Sequence, residues 1–468
     1  SLWGQTTEQR ERLLELSEQF SRRFTEKKAE ALRVADSLGW PVRQEFEDGR
    51  VIELMRIRED GMPMYYTTHN KEGGELINSD KVYPGSSAGH SLTGAGQTLA
   101  IWDDGKVRDT HQEFQSNGES RVTQRDDAIS ITDHATHVAG TMVAGGVTSN
   151  ARGMSYEAYL DAYDWNDDDA EMAAAAATGL QVSQHSYGWV TGWAYGPWSG
   201  YTAWHWFGDI SIDEKEDYLW GFYNNAAAAW DNIAFSAPNY LIVKSSGNDR
   251  YYGPTSQPVS HYYWEPGSEW TLSTAIRDLD GGDDGFQSIS HSSNSKNIMV
   301  VGSVDLSQVI ASSSSSGPTD DGRIKPDIVA KGVSVYSTRH EHNSHYGNKS
   351  GTSMSGPMVS GSVGLLLEHQ ENLHPDKTLL ASTIKALILH SADSDVSGAP
   401  GPDYRFGWGL MDTEAAAGIM TLNFDHSGDF NIRELTLTEG ENIIIPLLAS
   451  GDEPVKATMV WTDPPGTP

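Results

Sequence analysis

The stretch TLAIWDDG, residues 98–105, sets four apolar side chains ahead of two carboxylates and a glycine. A continuous apolar run closed by turn residues is what a strand buried on both faces looks like. The texture repeats in ATHVAGTMVAGG (135–146), EAYLDAYDW (157–165), EMAAAAATG (171–179), LQVSQHS (180–186), NYLIVKSSG (239–247) and NIMVVGSV (297–304). Short strand-like runs alternating with helical segments predict an α/β domain: an open parallel sheet with helices on both faces. In such sheets the reacting groups gather at the carboxyl ends of the strands. Asp103 falls at one of them.

On either side the composition changes. Residues 7–38 carry Leu13, Leu14, Leu16, Phe20, Phe24, Ala29, Leu32 and Val34 at helical spacing with charge between them, which predicts one or two amphipathic helices. Gly39-Trp40-Pro41 ends that pattern. Asp48-Gly49 then reads as a hairpin turn within VRQEFEDGRVIELMRI (42–57), and DGMPMYYTTHN (60–70) adds a second turn and strand. The polar stretch KEGGELINSDKVYPGSSAGHSLTGAG (71–96) has the composition of an exposed linker.

Two long surface excursions are expected within the α/β domain. One is 189–232, crowded with Trp189, Trp193, Trp198, Trp204 and Trp206, and the other is 250–292, which holds DLDGGDDG. After the helical SMSGPMVSGSVGLLLEHQ (353–370) and LLASTIKALILHSA (379–392), alternation in FNIRELTLTEGENIIIPLLAS (430–450) and VKATMVWTD (455–463) predicts strands. The resulting division is a small α+β unit over 1–80, the α/β domain over 81–422, and the start of a β-sandwich over 423–468.

At 468 residues the chain can bury a large core, and with no cysteine it has neither a disulfide framework nor a thiolate metal site. Its formal charge is −32; residues 1–80 hold 12 basic and 16 acidic side chains, so nearly all the excess lies beyond them. Such a surface repels nucleic-acid phosphates and anionic lipid and favours basic partners. No run approaches the roughly 20 apolar residues of a membrane span. A monomer with neither nucleic-acid nor membrane partners is expected.

The second informative stretch is GTSMSGPMVSG (351–361), which surrounds Ser353 with glycine and small side chains. Serine is a weak nucleophile at neutral pH and needs a base, an orienting carboxylate and oxyanion donors. ITDHATHVAGT (131–141) offers His134 at the head of a small-residue helix, YLIVKSSGND (240–249) delivers Asn248 after a strand, and Asp103 closes the first strand. Each alone has an ordinary explanation as a cap or turn residue. His134 and His137, three apart, could also be read as metal ligands, but no HExxH accompanies them.

Taken together, DDG at 103–105, DHATHVAGT at 133–141, SSGN at 245–248 and GTSMSGP at 351–357 resemble the subtilisin-like serine peptidases, or subtilases. The resemblance implies a subtilisin-like catalytic domain preceded by an α+β pro-region and followed by the start of a β-sandwich. It implies that Asp103 orients, His134 is the base, Ser353 attacks, and Asn248 with the Ser353 backbone N–H holds the oxyanion. Substrate is expected as an added strand against Ser186, Tyr187 and Gly188, over a floor that includes Ser246 and Gly247.

The resemblance further implies a secreted endopeptidase made as an inhibited precursor, with protein or peptide substrates and its own pro-region as partners, cut between Asn70 and Thr93. No organic cofactor is expected. Calcium is the one expected ion: the family's calcium loop corresponds to GGVTSNARG (145–153), where Val147 stands in place of an oxygen ligand. Asp278, Asp280, Asp283 and Asp284 offer hard oxygens elsewhere, against the rival reading of a solvated turn. Two other functional readings stay open: an exopeptidase on the same scaffold, and a catalytically silent polymer-binding module.

Overall fold

In the computed structural model, residues 6–45, 51–58, 61–68, 76–86, 89–265, 269–398, 401–426, 430–447, 451 and 455–468 are described. The chain opens with helix α1 (Thr7–Leu38). Its N-terminus is a capping box in which Thr6 and Gln9 exchange side-chain-to-backbone bonds, and Gly39 closes it in the left-handed conformation. The predicted helix is thus a single one. Strands β1 (Arg43–Glu45), β2 (Val51–Ile57) and β3 (Pro63–Thr68) follow, joined antiparallel in the order β1-β2-β3.

The α/β domain begins with β4 (Thr98–Asp103), a small hairpin of β5 (Gln115–Ser116) and β6 (Glu119–Ser120), β7 (Val122–Gln124) and helix α2 (Asp133–Val143). Next come β8 (Tyr159–Asp164), α3 (Asp168–Ala177), β9 (Val182–His185), β10 (Tyr187–Trp189), β11 (Trp193–Gly196), β12 (Ala203–Trp206), α4 (Asn225–Ser236) and β13 (Leu241–Ser245). Strands β14 (His261–Trp264), β15 (Trp270–Ser273), β16 (Met299–Val304), β17 (Ile328–Lys331), β18 (Val335–Thr338) and β19 (Tyr346–Lys349) lead to α5 (Thr352–Leu373), α6 (Ala381–Ser391) and α7 (Thr413–Asp425).

Seven strands form the central sheet in the order β17-β16-β13-β9-β4-β8-β7, every neighbouring pair parallel. Helices cover both faces. Helices α2 and α5 bury Val138, Met142, Met358, Val359 and Val363 against one side, while α3 and α4 bury Ala173, Ala176, Trp230 and Ile233 against the other. The open α/β architecture predicted from the apolar runs is the one observed. The hydrophobic driving force explains why those runs are continuous: a strand covered on both faces has no solvated side to mark with polar residues.

Three boundaries differ from the sequence reading. The stretch taken as an exposed linker is partly core, because Ile77, Val82, Tyr83 and Leu92 are buried with the α/β domain and Ser79 bonds Ser362 and Thr413. Helix α7 runs through Asn423, where the sandwich was expected to start. Beyond it, no strand occurs among the described residues: the alternating segments have no partner strand there to turn alternation into a sheet.

The two excursions meet each other. Strands β11 and β12 from the first join β14 and β15 from the second in one sheet, β11-β12-β14-β15. Its tryptophans are packing elements, for Trp193, Trp198 and Trp206 are almost fully buried. Part of this sheet shares a core with the N-terminal unit: Val190, Ala194, Trp198, Phe207 and Trp264 pack with Ala31, Ala35, Trp40, Ile52, Leu54 and Tyr65. The segment expected as a surface excursion is thus packed, with the N-terminal unit as the surface packed against.

Candidate active site

The parallel topology brings the four candidate residues to one edge. Asp103 is the last residue of β4, Ser186 directly follows β9, and Asn248 follows β13; these three strands are adjacent in the sheet. Ser353 sits in the first turn of α5, which lies across the same strands. Gly356 explains the small-residue run, since a methyl group there would come within 2.3 Å of Gln184 Nε2 on β9. Close approach of helix to sheet is what that glycine permits.

His134 Nδ1 is in hydrogen-bond contact with Asp103 Oδ1, and both side chains are about 1 % exposed. Asp103 Oδ1 also accepts from the Asp104 N–H at 2.8 Å. Burial alone would depress the histidine pKa, but the Asp103 charge and hydrogen bond, with Asp104 adding to them, hold it above its ordinary value. A ring fixed through Nδ1 keeps Nε2 as the nitrogen available for proton exchange.

Ser353 is fully buried, and its hydroxyl donates to the Ser186 carbonyl at 3.0 Å, while Ser186 Oγ donates back to the Ser353 carbonyl at 3.0 Å. Asn248 Oδ1 accepts from the Thr352 N–H at 3.0 Å and from Thr352 Oγ1 at 3.2 Å. Only the carbonyl oxygen of an amide can accept from an N–H, so the Asn248 NH₂ is the end left for another acceptor. Gly247, with φ of 111°, makes the turn that brings Asn248 there, and its N–H reaches Thr352 Oγ1 at 3.3 Å. Ser246 is buried on the same turn, its N–H on the Val301 carbonyl at 2.9 Å.

The edge expected for substrate is occupied by the chain itself. Strand β3 pairs antiparallel with β10, with Tyr187 opposite Thr68, Gly188 opposite Thr67 and Trp189 opposite Tyr66. Beneath that edge the Tyr187 hydroxyl donates to Asp168 Oδ2 at 2.7 Å and meets His185 Nδ1 at 3.0 Å. The Lys244 ammonium lies 4.6 Å from the Tyr187 ring, without a hydrogen-bond partner among the described residues. Burial pushes the Lys244 pKa down to about 7 and that of Asp168 up to about 8.

The start of α2 is braced from two directions. Asp133 pairs with Arg339 at 2.5 Å and Lys349 at 2.7 Å, which overcome burial and hold its carboxyl far below the usual range. Asp104 Oδ1 accepts from Thr132 Oγ1 and, at 3.3 Å, from the Ala135 N–H. His137 is a structural residue: it is buried, with Nε2 3.0 Å from the Val335 carbonyl, so the pair His134 and His137 is no metal site.

Neither expected calcium site fits an ion. In the 145–153 loop the N–H groups of Gly146, Val147 and Thr148 donate to the Glu113 carboxylate at 2.6–2.9 Å, so the loop turns donors inward. A cation is already built in: Arg121 donates to the carbonyls of Glu113, Val143 and Ala158 at 2.5–2.9 Å and is 6 % exposed. The aspartate cluster does not converge. Asp280 is buried and accepts from the Trp193 N–H at 3.0 Å, whereas Asp278, Asp283 and Asp284 are exposed.

Sequence reasoning named the four candidate residues that the fold brings together and missed part of what surrounds them. Asp104 had a signal, the second carboxylate of DDG, that was treated only as part of a motif. Lys244 was expected in the pocket floor, 244–247, and instead lies against the Tyr187 ring, while Asp168, bonded to the Tyr187 hydroxyl, had no signal.

With this geometry in place, comparison with known proteins fixes the family. The subtilase family pattern, Peptidase_S8, matches residues 74–409, and the chain belongs to that family. It is 26% identical over 329 residues to the serine protease AprX of Bacillus subtilis, a match covering 65% of this chain and 63% of AprX. It is 34% identical over 96 residues to the minor extracellular protease Vpr of the same organism, covering 19% of this chain and 12% of Vpr. The chain thus spans less than two thirds of the length of these relatives. The solved CspB protease of Clostridium perfringens has the same fold, with a TM-score of 0.53 at 15% identity, over 74% of this chain and 98% of that one.

Proposed function

We propose that the chain is the precursor of a secreted serine endopeptidase. Ser353 attacks a peptide carbonyl while His134 takes its proton; Asp103 holds the imidazole Nδ1–H and stabilises the imidazolium that forms. The negative charge developing on the carbonyl oxygen is met by the Asn248 amide and the Ser353 N–H, an orphan donor of the first turn of α5. His134 then protonates the departing amine, and water repeats the sequence on the acyl-serine. The observation that carries this reading is the buried His134–Asp103 pair at the end of β4, on the sheet edge that also bears Ser353 and Asn248.

The precursor part of the reading rests on β3 lying along β10, where a substrate strand would lie, and on the Ser353 hydroxyl being directed at Ser186. Because Ile77, Val82 and Leu92 are core residues, the cut that frees the edge belongs before Leu76, in 69–75, outside the described residues. Extracellular action is supported by the likeness to Vpr.

A serine-directed fluorophosphonate tests the reading, followed by peptide mapping, on the intact chain and on chain nicked before Leu76. The expected result is an adduct on Ser353 that forms much faster after nicking and is absent, with all peptidase turnover, in Ser353→Ala. Turnover by Ser353→Ala would remove the assignment.

A further inference from the structure

Among the described residues, strand β10 has one partner strand, β3 of the N-terminal unit, and it ends the sheet β1-β2-β3-β10. When that unit leaves, the ladder leaves with it, and the three residues of β10 keep their place only through side chains. Those of Tyr187 are anchored in the α/β body. The Tyr187 hydroxyl donates to Asp168 Oδ2 at 2.7 Å and lies 3.0 Å from His185 Nδ1. Behind it, His185 Nε2 is 2.8 Å from Ser183 Oγ, which is 2.6 Å from the Tyr240 hydroxyl. Asp168 is fixed from its other oxygen, which accepts from the Asp169 N–H at 2.9 Å in the first turn of α3. The Tyr187 ring is boxed by the Trp165 edge at 5.7 Å and by the Lys244 ammonium at 4.6 Å, a cation–π contact. All of these side chains are buried.

Resting on the peptidase reading above, we infer that Asp168 is a positioning residue for extended substrates: through the Tyr187 hydroxyl it keeps the β10 edge where a peptide strand can pair with it after β3 has gone. Three observations converge. The edge accepts a strand, with Tyr187 opposite Thr68 and Gly188 opposite Thr67, in the same arrangement in which the hydroxyl reaches Asp168. The other side chain of β10 is less independent of the N-terminal unit: Trp189 packs on His291 at 4.6 Å, but its other face is covered by the Arg56 guanidinium at 4.2 Å, which departs with that unit. Gly188, between them, has no side chain to hold. Finally, a buried carboxyl and a buried phenol oxygen are each costly to leave without a partner, so this bond resists the shift of β10 that would break it.

The test uses chain nicked before Leu76, the fluorophosphonate, and two sets of fluorogenic peptides. Long peptides run far enough ahead of the cleaved bond to lie along Tyr187, Gly188 and Trp189, and short ones carry a single residue there. In Asp168→Ala, kcat/KM for the long peptides should fall about tenfold or more, mainly through KM, the effect of losing one buried hydrogen bond to a carboxyl group. Ser353 labelling and turnover of the short peptides, which do not use the edge, should stay within about twofold of wild type. Asp168→Asn keeps an acceptor for the hydroxyl and should recover most of the loss. Equal losses on long and short peptides, no loss on either, or an Asn variant no better than the Ala variant would overturn the inference. Should Asp168→Ala not fold, Tyr187→Phe removes the same bond by deleting one oxygen: the ratio of long-peptide to short-peptide kcat/KM should fall, and an unchanged ratio would overturn the inference. Wild-type chain that neither labels at Ser353 nor cleaves either set would instead fail the peptidase reading.

Discussion

The two ends of the chain meet the α/β body in opposite ways. The N-terminal unit shares cores with it: Leu13, Leu16 and Phe20 of α1 are buried with Ala173, Ala176 and Trp230, and β3 extends onto β10. The C-terminal stretch lies on the body by scattered polar contacts, such as Glu434 to Thr383 at 2.7 Å and Lys456 to the His390 carbonyl at 2.6 Å, and by the partly buried Ile432 and Val460. Its Leu437, Ile444, Met459 and Trp461 are 61–88 % exposed. Both ends show good secondary-structure patterning in sequence. The difference lies in whether the rest of the chain supplies a complementary face, because burial of apolar area and pairing of backbone groups both need a second surface.

Substitutions that loosen the first contact should therefore be expensive, and those in the second nearly free. The largest effect is expected at Glu53, whose carboxylate is only 11 % exposed and binds Lys28, Arg43 and the Trp165 indole together. Glu53→Gln leaves two cations of the same unit short of a partner and weakens the one bond it makes across to the body, from Trp165; it should cost the N-terminal unit about 3–5 kcal/mol of stability, the penalty for breaking a buried pair, seen as faster Ser353 labelling in the uncut chain. Burial raises the Glu53 pKa, yet Lys28 and Arg43 outweigh it and leave it lowered. A lowered folded-state pKa stabilises above the ordinary carboxylate value and is lost as pH falls through the lowered one. Acid should therefore release the nicked N-terminal unit in size-exclusion runs, and less steeply in Glu53→Gln.

Leu16→Ala should come next, removing a side chain 1 % exposed at the seam of α1 and α3. About 2–5 kcal/mol is the range for such a cavity, measurable by denaturant titration. At the other end, Leu437→Asp should change stability by no more than about 0.5 kcal/mol. A large loss there would mean that the C-terminal stretch is packed far better than its exposure indicates.

The same contrast explains what could be read from sequence. Asp103, His134, Asn248 and Ser353 were legible because each lies in a motif whose neighbours are constrained locally: Gly247 by its positive φ, Gly356 by Gln184 across the helix–sheet contact. The parallel sheet was legible because double burial leaves its mark on every strand. The joint sheet of the two excursions was not, since β12 and β14 pair in parallel across more than 50 residues and nothing local announces it. Nor was the burial of Ile77, Val82 and Leu92, three apolar residues scattered through a polar stretch. The strands expected after Asn423 are not seen among the described residues for the opposite reason: alternation is present and, among those residues, a partner strand is not.

Arg121 carries one last consequence. A guanidinium threaded among three carbonyls is a counter-ion that belongs to the polypeptide. It does not exchange with the surroundings, and no sequestering agent can strip it away. The loop it anchors leads out of α2, the helix that carries His134, so the end of that helix is held by a side chain of the polypeptide itself.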